Sequence, residues 1–303
     1  MADPLSEIVT LLRPRTVFTK GITGAGRWAV RYRHFGHPSF CAVVKGGCRL
    51  ALDGHDAVTL GEGDFVLLPT TPGFVMSGFE PAVPVLIDPD VAPVSSGELR
   101  HGRSDGDPDV RLIGGYFVFD SPDAAFLVSM LPPLLHLRGI DRLSTLVGLV
   151  RAESDGDGPG RDLILARLVE VLVIEAIRSA EGDYAPQGLL RGLADARLAV
   201  AIRAMHDDPA RAWTVGELAR AAALSRSGFF HRFTREVGLA PMAYLQSWRM
   251  ALAKDLLRPG EIAIEEVAER VGYSSSSTFS TAFGRHVGMP PGRFARASSA
   301  TAA

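Results

Sequence analysis

The spacing of apolar and polar positions divides the chain into a strand-rich front half and a helical back half. From about residue 17 to residue 119, short apolar and β-branched runs such as "FCAVVKG", "CRLALDG" and "GDFVLLP" are separated at close intervals by Gly, Pro and Asp. This pattern is typical of antiparallel strands joined by tight turns. It predicts an antiparallel sandwich or barrel for the front half.

After the strands, the apolar period changes to that of an α-helix. Two segments within about residues 141–180, "RLSTLVGLV" and "RDLILARLVEVLVIEAIRSA", have the broad apolar face of packed helices. A loop of turn-forming residues, "ESDGDGPG", separates them. "EGDYAPQGLLRG" is predicted to contain the interdomain linker, at about residues 184–192. A chain of 303 residues is long enough for two domains, here residues 1–183 and 193–303.

The back half contains one pattern twice. "LSRSGFFHRFTREVG" begins at residue 224, and "YSSSSTFSTAFGRHVG" begins at residue 273. In each copy two Phe residues lie four positions apart and therefore share one face of a helix. Positions before the helix match at an offset of 49 and positions within it at an offset of 50, so one residue is inserted. The matched pairs include Leu224 with Tyr273, Ser225 with Ser274, Phe229 with Phe279, and Phe233 with Phe283.

In both copies a short helix, a tight turn and a second helix follow one another, which is the organisation of a helix-turn-helix unit. The units are predicted at about residues 214–237 and 263–287. Thr214 begins a capping-box sequence, and Ser225 and Ser274 are the predicted N-caps of the second helices. "PMAYLQSWRMALAKDLL" between the units predicts a rigid helix of about 17 residues, roughly 25 Å long. Such a spacer would let both second helices enter successive major grooves, which are about 34 Å apart.

Three long stretches of the back half carry a recognisable set of motifs. They are "WTVGELARAAALSRSGFFHRF", "APMAYLQSWRMALAKDLL", and "IEEVAERVGYSSSSTFSTAFGRHVGMPPGRF" with its double proline. Over residues 193–296 the chain thereby resembles the DNA-binding domain of the AraC/XylS family of bacterial transcription regulators. The resemblance implies sequence-specific binding of double-stranded DNA, because polar side chains of a groove-bound helix can bond to base edges or phosphates. A repetitive helical bundle without a DNA role is the alternative.

The resemblance also implies which residues contact DNA. Ser and Phe stand at some positions where family members often carry Trp, Gln or Arg, so base readout is expected to be weaker, above all in the second unit. Phe230 is either partly buried or placed to contact a thymine methyl. The implied DNA-binding residues are Arg226, Ser227, Phe230, His231 and Arg232 in the first unit, and Ser276, Ser277, Thr281 and Arg285 in the second.

The distribution of charge agrees with a polyanionic partner for the back half. The whole chain has a net charge of −2, but residues 185–303 contain 15 Lys and Arg against 10 Asp and Glu, a net charge of +5. The rest of the chain carries −7. A basic segment is expected where a protein meets nucleic acid, although a solvated charged face gives the same split.

The run "GEGDFVLLPTTPGFVMSG" in the front half resembles the second cupin motif. The expected fold is therefore α+β: a cupin-like antiparallel β-barrel at about residues 17–119 followed by helices, then an all-α C-terminal domain with two helix-turn-helix units. Phe74 occupies the position of the motif's metal-binding His, and Cys41 lies near the start of the first motif. His34 and His37 lack a partner set. No metal or other cofactor is predicted.

Two further residue groups have an interior role as their simplest interpretation. Cys41 and Cys48 are too few for a disulfide framework or a four-cysteine zinc site, and they are predicted to be small core residues. Large apolar side chains of the barrel either line a cavity for one small ligand or belong to the plain core. These candidate ligand-binding residues are Trp28, Phe40, Phe65, Phe74 and Met76, with Phe79 beside them.

These observations favour a transcription regulator that is not an enzyme and acts in the cytoplasm. No apolar run approaches the roughly 20 residues that a membrane helix needs, and the first residues lack the cationic start of a secretory signal. Double-stranded DNA is the predicted partner, and RNA polymerase, a small-molecule effector and a second copy of the chain are candidate partners. The alternative function is a cupin-type metalloenzyme with an appended DNA-binding domain.

Overall fold

The computed structural model describes residues 3–34, 36–87, 98–119, 133–179 and 188–302, with residues 121, 128 and 131. Its contacts divide the chain into two units. The barrel unit comprises Arg13–Asp120 and Leu131–Glu181. The helical unit comprises Met1–Leu12, Ser121–Met130 and Gly182–Ala303. The domain bounds inferred from the sequence stay a prediction, but in the structure the first twelve residues group with the helical unit, not with the barrel.

Most strands of the barrel unit lie within the predicted range of about residues 17–119, but one short strand, Leu135–Leu137, lies beyond it and was not predicted. The runs quoted above are closed by Gly, Asp or Pro, whose backbone preferences suit turns. Their bounds are β1 Pro14–Ala25, β2 Ala29–Tyr32, β3 Ser39–Leu52, β4 Val58–Gly61, β5 Phe65–Leu68, β6 Phe74–Ser77, β7 Val85–Ile87, β8 Leu99–Gly102, β9 Val110–Phe119 and β10 Leu135–Leu137.

The sheet curls around β3, the longest of the described strands. The first half of β3 pairs with β9 and β5, and its second half pairs with β6 and β4. A register shift between Val43 and Lys45 separates the two halves, as expected for a bulge that bends a strand. The described pairs are antiparallel except at the edges, where β7 joins β2 and β8 joins β1 in parallel. The cupin-like, mainly antiparallel fold is thus confirmed, in the form of a curled sheet.

Two helices follow the sheet, as their apolar period predicts. They are α2 (Asp141–Asp155) and α3 (Arg161–Arg178), and both pack against β1 and each other. Val150 and Val169 are fully buried on their inner faces. In the described part of the chain, no helix is both long enough and apolar enough to span a bilayer.

The helical unit contains the helices predicted for the back half and others that were not predicted. A helix at α4 lies partly inside the predicted linker, and α1 and α11 were not predicted. The helix bounds are α1 Pro4–Leu12, α4 Leu189–Ala194, α5 Ala196–Asp207, α6 Val215–Ala221, α7 Arg226–Val237, α8 Pro241–Leu257, α9 Ile264–Arg270, α10 Ser276–Val287 and α11 Pro291–Ala302.

The N-terminal helix α1 packs against α5 of the helical unit. Its apolar positions recur at helical spacing, and Ile8 and Leu12 are completely buried. The Glu7 carboxylate lies 2.6 Å from Nδ1 of His206, a histidine whose side chain is fully buried. Nε2 of the same ring lies 2.7 Å from the Tyr244 hydroxyl, and the ring stacks on Trp248 at 4.1 Å between centroids. This chain of contacts ties the start of the protein to α5 and α8.

The spacer helix α8 has the 17 residues that the sequence predicts, Pro241–Leu257. Its first half packs toward the first helix-turn-helix unit, where Tyr244 contacts Phe233 at 5.7 Å between ring centroids. Its second half contributes Met250 and Leu257 to the core that contains Phe279. One helix therefore supplies part of the core of both units.

Candidate nucleic-acid interface and interior cavity

The first helix-turn-helix unit consists of α6, a tight turn and α7. The predicted capping box at Thr214 is confirmed, since the hydroxyl accepts from the Glu217 backbone N–H and the Glu217 carboxylate accepts from the Thr214 backbone N–H. Ala223 in the turn has φ 50°, a left-handed conformation that is rare for a residue with a Cβ. Ser225 caps α7 as predicted, accepting from the Gly228 N–H at 3.2 Å.

The second unit repeats this arrangement with one difference at the cap of its reading helix, α10. Gly272, with φ 81°, takes the left-handed turn position that Ala223 occupies in the first unit. The predicted N-cap Ser274 is wrong, because Ser275 accepts the Thr278 N–H at 3.2 Å. Ser225 therefore corresponds to Ser275 at an offset of 50. The inserted residue is Ser274, which lengthens the turn by one residue.

The buried faces of α7 and α10 are alike. Phe229 and Phe233 on α7, and Phe279 and Phe283 on α10, are all completely buried. Each pair of rings lies 5.5 Å apart, at similar tilts. The predicted repeat of the buried face is confirmed, and it fixes which side of each helix remains for contact with another molecule.

On α7, most of the residues assigned to DNA contact are exposed. Arg226, Ser227, Phe230 and His231 face solvent, and Phe230 keeps 40% of its surface exposed. The Phe230 ring meets the His231 ring edge-on at 5.8 Å. Of the two alternatives for Phe230, the exposed position is the one found, so an apolar ring and a polar ring lie side by side on the surface.

Arg232 differs from its neighbours because it is engaged within the protein. Its Nε donates to the Asp195 carboxylate, which also caps α5 by accepting the N–H groups of Arg197 and Leu198. Burial by itself would raise the pKa of Asp195, but these hydrogen bonds, that from Arg232 first, outweigh it and lower the pKa. The guanidinium thus joins α7 to the start of α5.

On α10, the outward surface consists mainly of hydroxyl groups. Ser277, Thr281 and Arg285 are exposed, whereas Ser276 is half-buried. The Thr281 hydroxyl donates to the Ser277 carbonyl at 3.0 Å, a bond to the preceding turn of its own helix. Because the hydroxyl proton is used there, Thr281 presents mainly acceptor lone pairs to a partner.

The barrel unit contains a partly open cavity of about 140 Å³. Phe74 and Tyr32 stack at 4.8 Å along one part of its wall. The register of the sheet places Tyr116 opposite Ser39, and the Ser39 hydroxyl bonds to Thr71 at 2.8 Å. The polar part of the cavity wall consists of Tyr116, Ser39, Thr71 and Lys20, with the Tyr32 ring beside Phe74. The rest of the wall is mainly apolar and includes Ile22, Phe40, Leu50, Val66, Leu68 and Met76.

The candidate ligand residues are therefore placed in three different ways. Phe40, Phe74 and Met76 line the cavity. Trp28 and Phe65 are buried but do not line it, and Phe79 is 52% exposed. Trp28 fills a slot between close glycine backbones, since a Cβ at Gly24 or Gly78 would come within 3.0 Å of its ring.

Sequence reasoning missed the polar residues of the cavity: Lys20, Tyr32, Ser39 and Tyr116 lie on strands, and Thr71 lies in the loop between β5 and β6. Thr71 is also a β-branched residue with φ 38°, a conformation that such residues rarely adopt. For Lys20 the available signal was its place two residues before Ile22 on β1, because inward positions recur every second residue.

Burial sets the protonation of the groups near the cavity. Burial raises the pKa of the Cys41 thiol well above its usual value, with a further contribution from Cys48. Burial, and then the charge of Asp64, raises the pKa of Cys48 to about 12. The pKa of Tyr32 is raised to about 12, again mainly by burial. Both thiols are free and neutral at pH 7; Cys48 is a core residue as predicted, and Cys41 lines the cavity.

The Gly-Asp turn of the second cupin motif is present, and its carboxylate has a structural use. Asp64 accepts the Gly61 N–H at 3.0 Å and lies 2.9 Å from Nε2 of His136 on β10. The motif therefore fastens β10 beside β5. Within the described residues, no group of three or more His, Cys, Asp or Glu side chains is arranged to hold a metal ion.

Comparison with known families agrees with this architecture. A family described as Cupin matches residues 3–180, and a family described as Helix-turn-helix domain matches residues 218–297. An AraC-like transcription regulator of Streptomyces lividans is 36% identical over 96% of this chain and 97% of its own length. A second, from Streptomyces antibioticus, is 36% identical over 96% and 98% of the two chains. The RCS-specific transcriptional activator RclR of Escherichia coli is 26% identical over 96% of both.

The matches to solved structures are more distant. ToxT from Vibrio cholerae matches 93% of this chain and 98% of its own, at 11% identity and a TM-score of 0.36. The DNA-binding domain of AdpA, solved with a target DNA, matches 35% of this chain and 94% of its own, at 30% identity and a TM-score of 0.33.

The fold and the two helix-turn-helix units define a DNA-binding transcription regulator with a cupin-like N-terminal domain. The chain belongs to the AraC-like transcription regulators, because the match extends over nearly the full length of relatives that carry that description. The predicted class of protein, its fold and its DNA-binding function are confirmed.

Proposed function

We propose that the protein binds duplex DNA by placing α7 and α10 in successive major grooves. The observation that carries this proposal is the matched pair of helices, each with two Phe side chains buried on one face and polar groups exposed on the other. Ser227, Phe230 and His231 would read bases in the first groove, and Ser277 and Thr281 in the second. The remaining assigned residues, Arg226, Arg232, Ser276 and Arg285, would contact or support the phosphate backbone.

We propose that the barrel cavity binds a small-molecule effector. The support is its size, about 140 Å³, and its mainly apolar wall with a few polar groups, the usual character of a small-ligand site. A second copy of the chain is the other candidate regulator. Leu163, Ile164 and Val171 support it, because these apolar residues of α3 are 64%, 44% and 41% exposed. RNA polymerase stays a predicted partner, and the cytoplasm the predicted location.

The metalloenzyme alternative leads to a different measurement. An enzyme of that class requires nearly one metal ion for each purified chain, whereas a regulator without catalytic activity does not. Metal analysis of the purified full chain, combined with DNA binding before and after chelation, separates the two functions. We expect DNA binding to be unchanged by the chelator.

Salt dependence tests the DNA interface itself. The full chain should select a defined site from a random-sequence duplex library, and its affinity for that site should fall steeply as salt rises. Each phosphate that an Arg or Lys neutralises contributes about −0.9 to the slope of log K against log salt. Titration at several salt concentrations measures this slope. A folded protein without duplex binding at low salt would contradict the proposal.

The two reading helices should contribute unequally to specificity. His231→Ala should relax the sequence preference at one or two positions, because an imidazole can hydrogen-bond to a base and a good base contact discriminates by roughly 1–3 kcal/mol. Thr281→Ala should change preference little, since its hydroxyl already donates to Ser277 within α10. Both variants are compared on all single-base changes of the selected site. Greater loss of discrimination in Thr281→Ala would reverse this ranking.

A further inference from the structure

One arginine of the spacer helix binds the loop that leads into the first helix-turn-helix unit, and the second unit touches the same loop. Arg249 lies near the middle of α8, between the parts that pack on the two units. Its Nε donates to the Pro209 carbonyl and its Nη2 to the Arg211 carbonyl, each at 2.7 Å. These two carbonyls belong to the loop that joins α5 to α6, so one rigid guanidinium fork holds two nearby residues of this loop.

The turn of the second unit rests on the same loop. A Cβ added to Gly272 would come closer than 3.0 Å to the carbonyl oxygen of Ala210, and 2.8 Å from Nη2 of Arg249. Gly272 is therefore in direct contact with Ala210, which lies between the two residues that Arg249 binds. We call Arg249, loop residues 209–211 and Gly272 the joint.

The loop is also held by contacts other than those of Arg249, some within the loop and one with α6. Asp208 accepts the Arg211 backbone N–H at 3.1 Å, and its carbonyl accepts the Trp213 indole N–H at 2.9 Å. The Arg211 guanidinium lies 4.0 Å above the Trp213 ring and bonds to Glu217 of α6 at 3.1 Å. A shift of the loop would therefore also move α6 and the turn that joins α6 to α7.

We propose that Arg249 is a positioning residue which, through the joint, fixes the distance and rotation between the two reading helices and hence the half-site spacing that the protein accepts. This inference rests on the DNA contact proposed above for α7 and α10. Of the contacts described above, only those of α8 would still connect the two units without the joint, and bending of one helix changes the separation of its two ends. With it, the second unit is braced against the first, which lowers the cost of binding two grooves together.

The test on DNA uses the full chain and the site selected from a random-sequence duplex library. Affinity is measured for that site, for versions with one base pair added or removed between half-sites, and for a duplex with one half-site scrambled. For the wild type we expect about tenfold weaker binding when the spacing is wrong, as for two linked contacts that no longer fit together. Arg249→Met should lose most of this preference while its affinity for the single half-site stays the same.

Two controls separate positioning from general damage. Arg270→Met removes an equal charge from an exposed ion pair with Glu266, so it reports any effect of charge alone on spacing. Gly272→Ala disturbs the joint from the opposite side and should relax spacing as Arg249→Met does. Gly288→Ala introduces the same backbone strain, at φ 81°, where a Cβ meets nothing within 4 Å, and should keep the wild-type preference.

A second measurement does not depend on DNA and covers the case in which Arg249→Met does not fold. Nitroxide labels on Ser227→Cys and Ser277→Cys, at matched exposed positions, report the distance between α7 and α10 in the free protein. Arg249→Lys keeps the charge but can reach only part of the fork geometry. We expect a narrow distance distribution in the wild type and a broader or shifted one in Arg249→Lys. Burial raises the pKa of native Cys41 and Cys48, which limits labelling there.

Each outcome decides between the hypotheses. Relaxed spacing together with a broadened distance distribution supports the positioning role. An unchanged distribution, or equal loss of affinity for the full site and for the half-site, overturns it and leaves Arg249 as a residue that only stabilises the fold. A broadened distribution in Arg249→Lys, together with an unlabelled wild type that does not bind duplex DNA, would support the joint and contradict the proposed DNA contact.

Discussion

Proline at position 251 is expected to shorten the protected DNA to the length of one half-site. Ala251 is 2% exposed and lies in the middle of α8, next to Met250, which belongs to the core of the second unit. Proline removes the backbone hydrogen bond to Ser247 and its ring clashes with that carbonyl, at a cost of about 3 kcal/mol or more. The kink would fall between the parts of α8 that pack on the two units.

Footprinting on the selected site measures the protected length, and urea unfolding measures the lost stability. Ala251→Gly is the matched control, because it keeps the N–H group and costs only about 0.5–1 kcal/mol in a helix. We expect its footprint to have full length. If Ala251→Pro also protects the full site with wild-type affinity, then the two units are not rigidly coupled through α8.

The second large effect is expected at the other end of the chain, where Ile8→Asp should release α1 from the helical unit. Ile8 is completely buried, and burying an unpaired carboxylate there costs more than undocking the helix. Undocking removes the buried apolar contacts of α1, each worth roughly 1.5–3 kcal/mol before the ordering entropy is subtracted. We expect a net loss of about 3 kcal/mol in the stability of the helical unit.

Fluorescence can follow this unit separately from the barrel. In a Trp28→Phe background the remaining tryptophans, Trp213 and Trp248, both lie in the helical unit. Urea unfolding of Ile8→Asp is compared with that of Thr10→Asp, which places the same charge on an exposed position of α1. Equal stability of the two variants would show that α1 adds nothing to the helical unit. A C-terminal fragment lacking α1 should show the same loss as Ile8→Asp.

Local signals in the sequence were sufficient for the helices of both helix-turn-helix units. The pairs of Phe residues four positions apart, the capping box at Thr214 and the cap at Ser225 were all predicted correctly, because each depends on residues within one or two turns of helix. The cap of α10 was assigned one residue early, since four consecutive serines offer the same hydroxyl and only the backbone path decides which one meets the free N–H groups. The apolar spacing of α1 was also present in the sequence, although its packing partner was not.

The sequence by itself determined the strands of the front half and the two repeated helix-turn-helix units of the back half, because periodicity, caps and turns depend on neighbouring residues. The resemblance of its motifs to the AraC/XylS and cupin families indicated the class of protein. Only the tertiary structure decided which unit α1 joins, which barrel side chains line the cavity, and that Arg249 meets the loop at residues 209–211 beside Gly272. These contacts join residues that are distant in the chain. They depend on how helices and strands pack against one another and on which buried polar groups need a hydrogen-bond partner. Short sequence patterns do not contain this information.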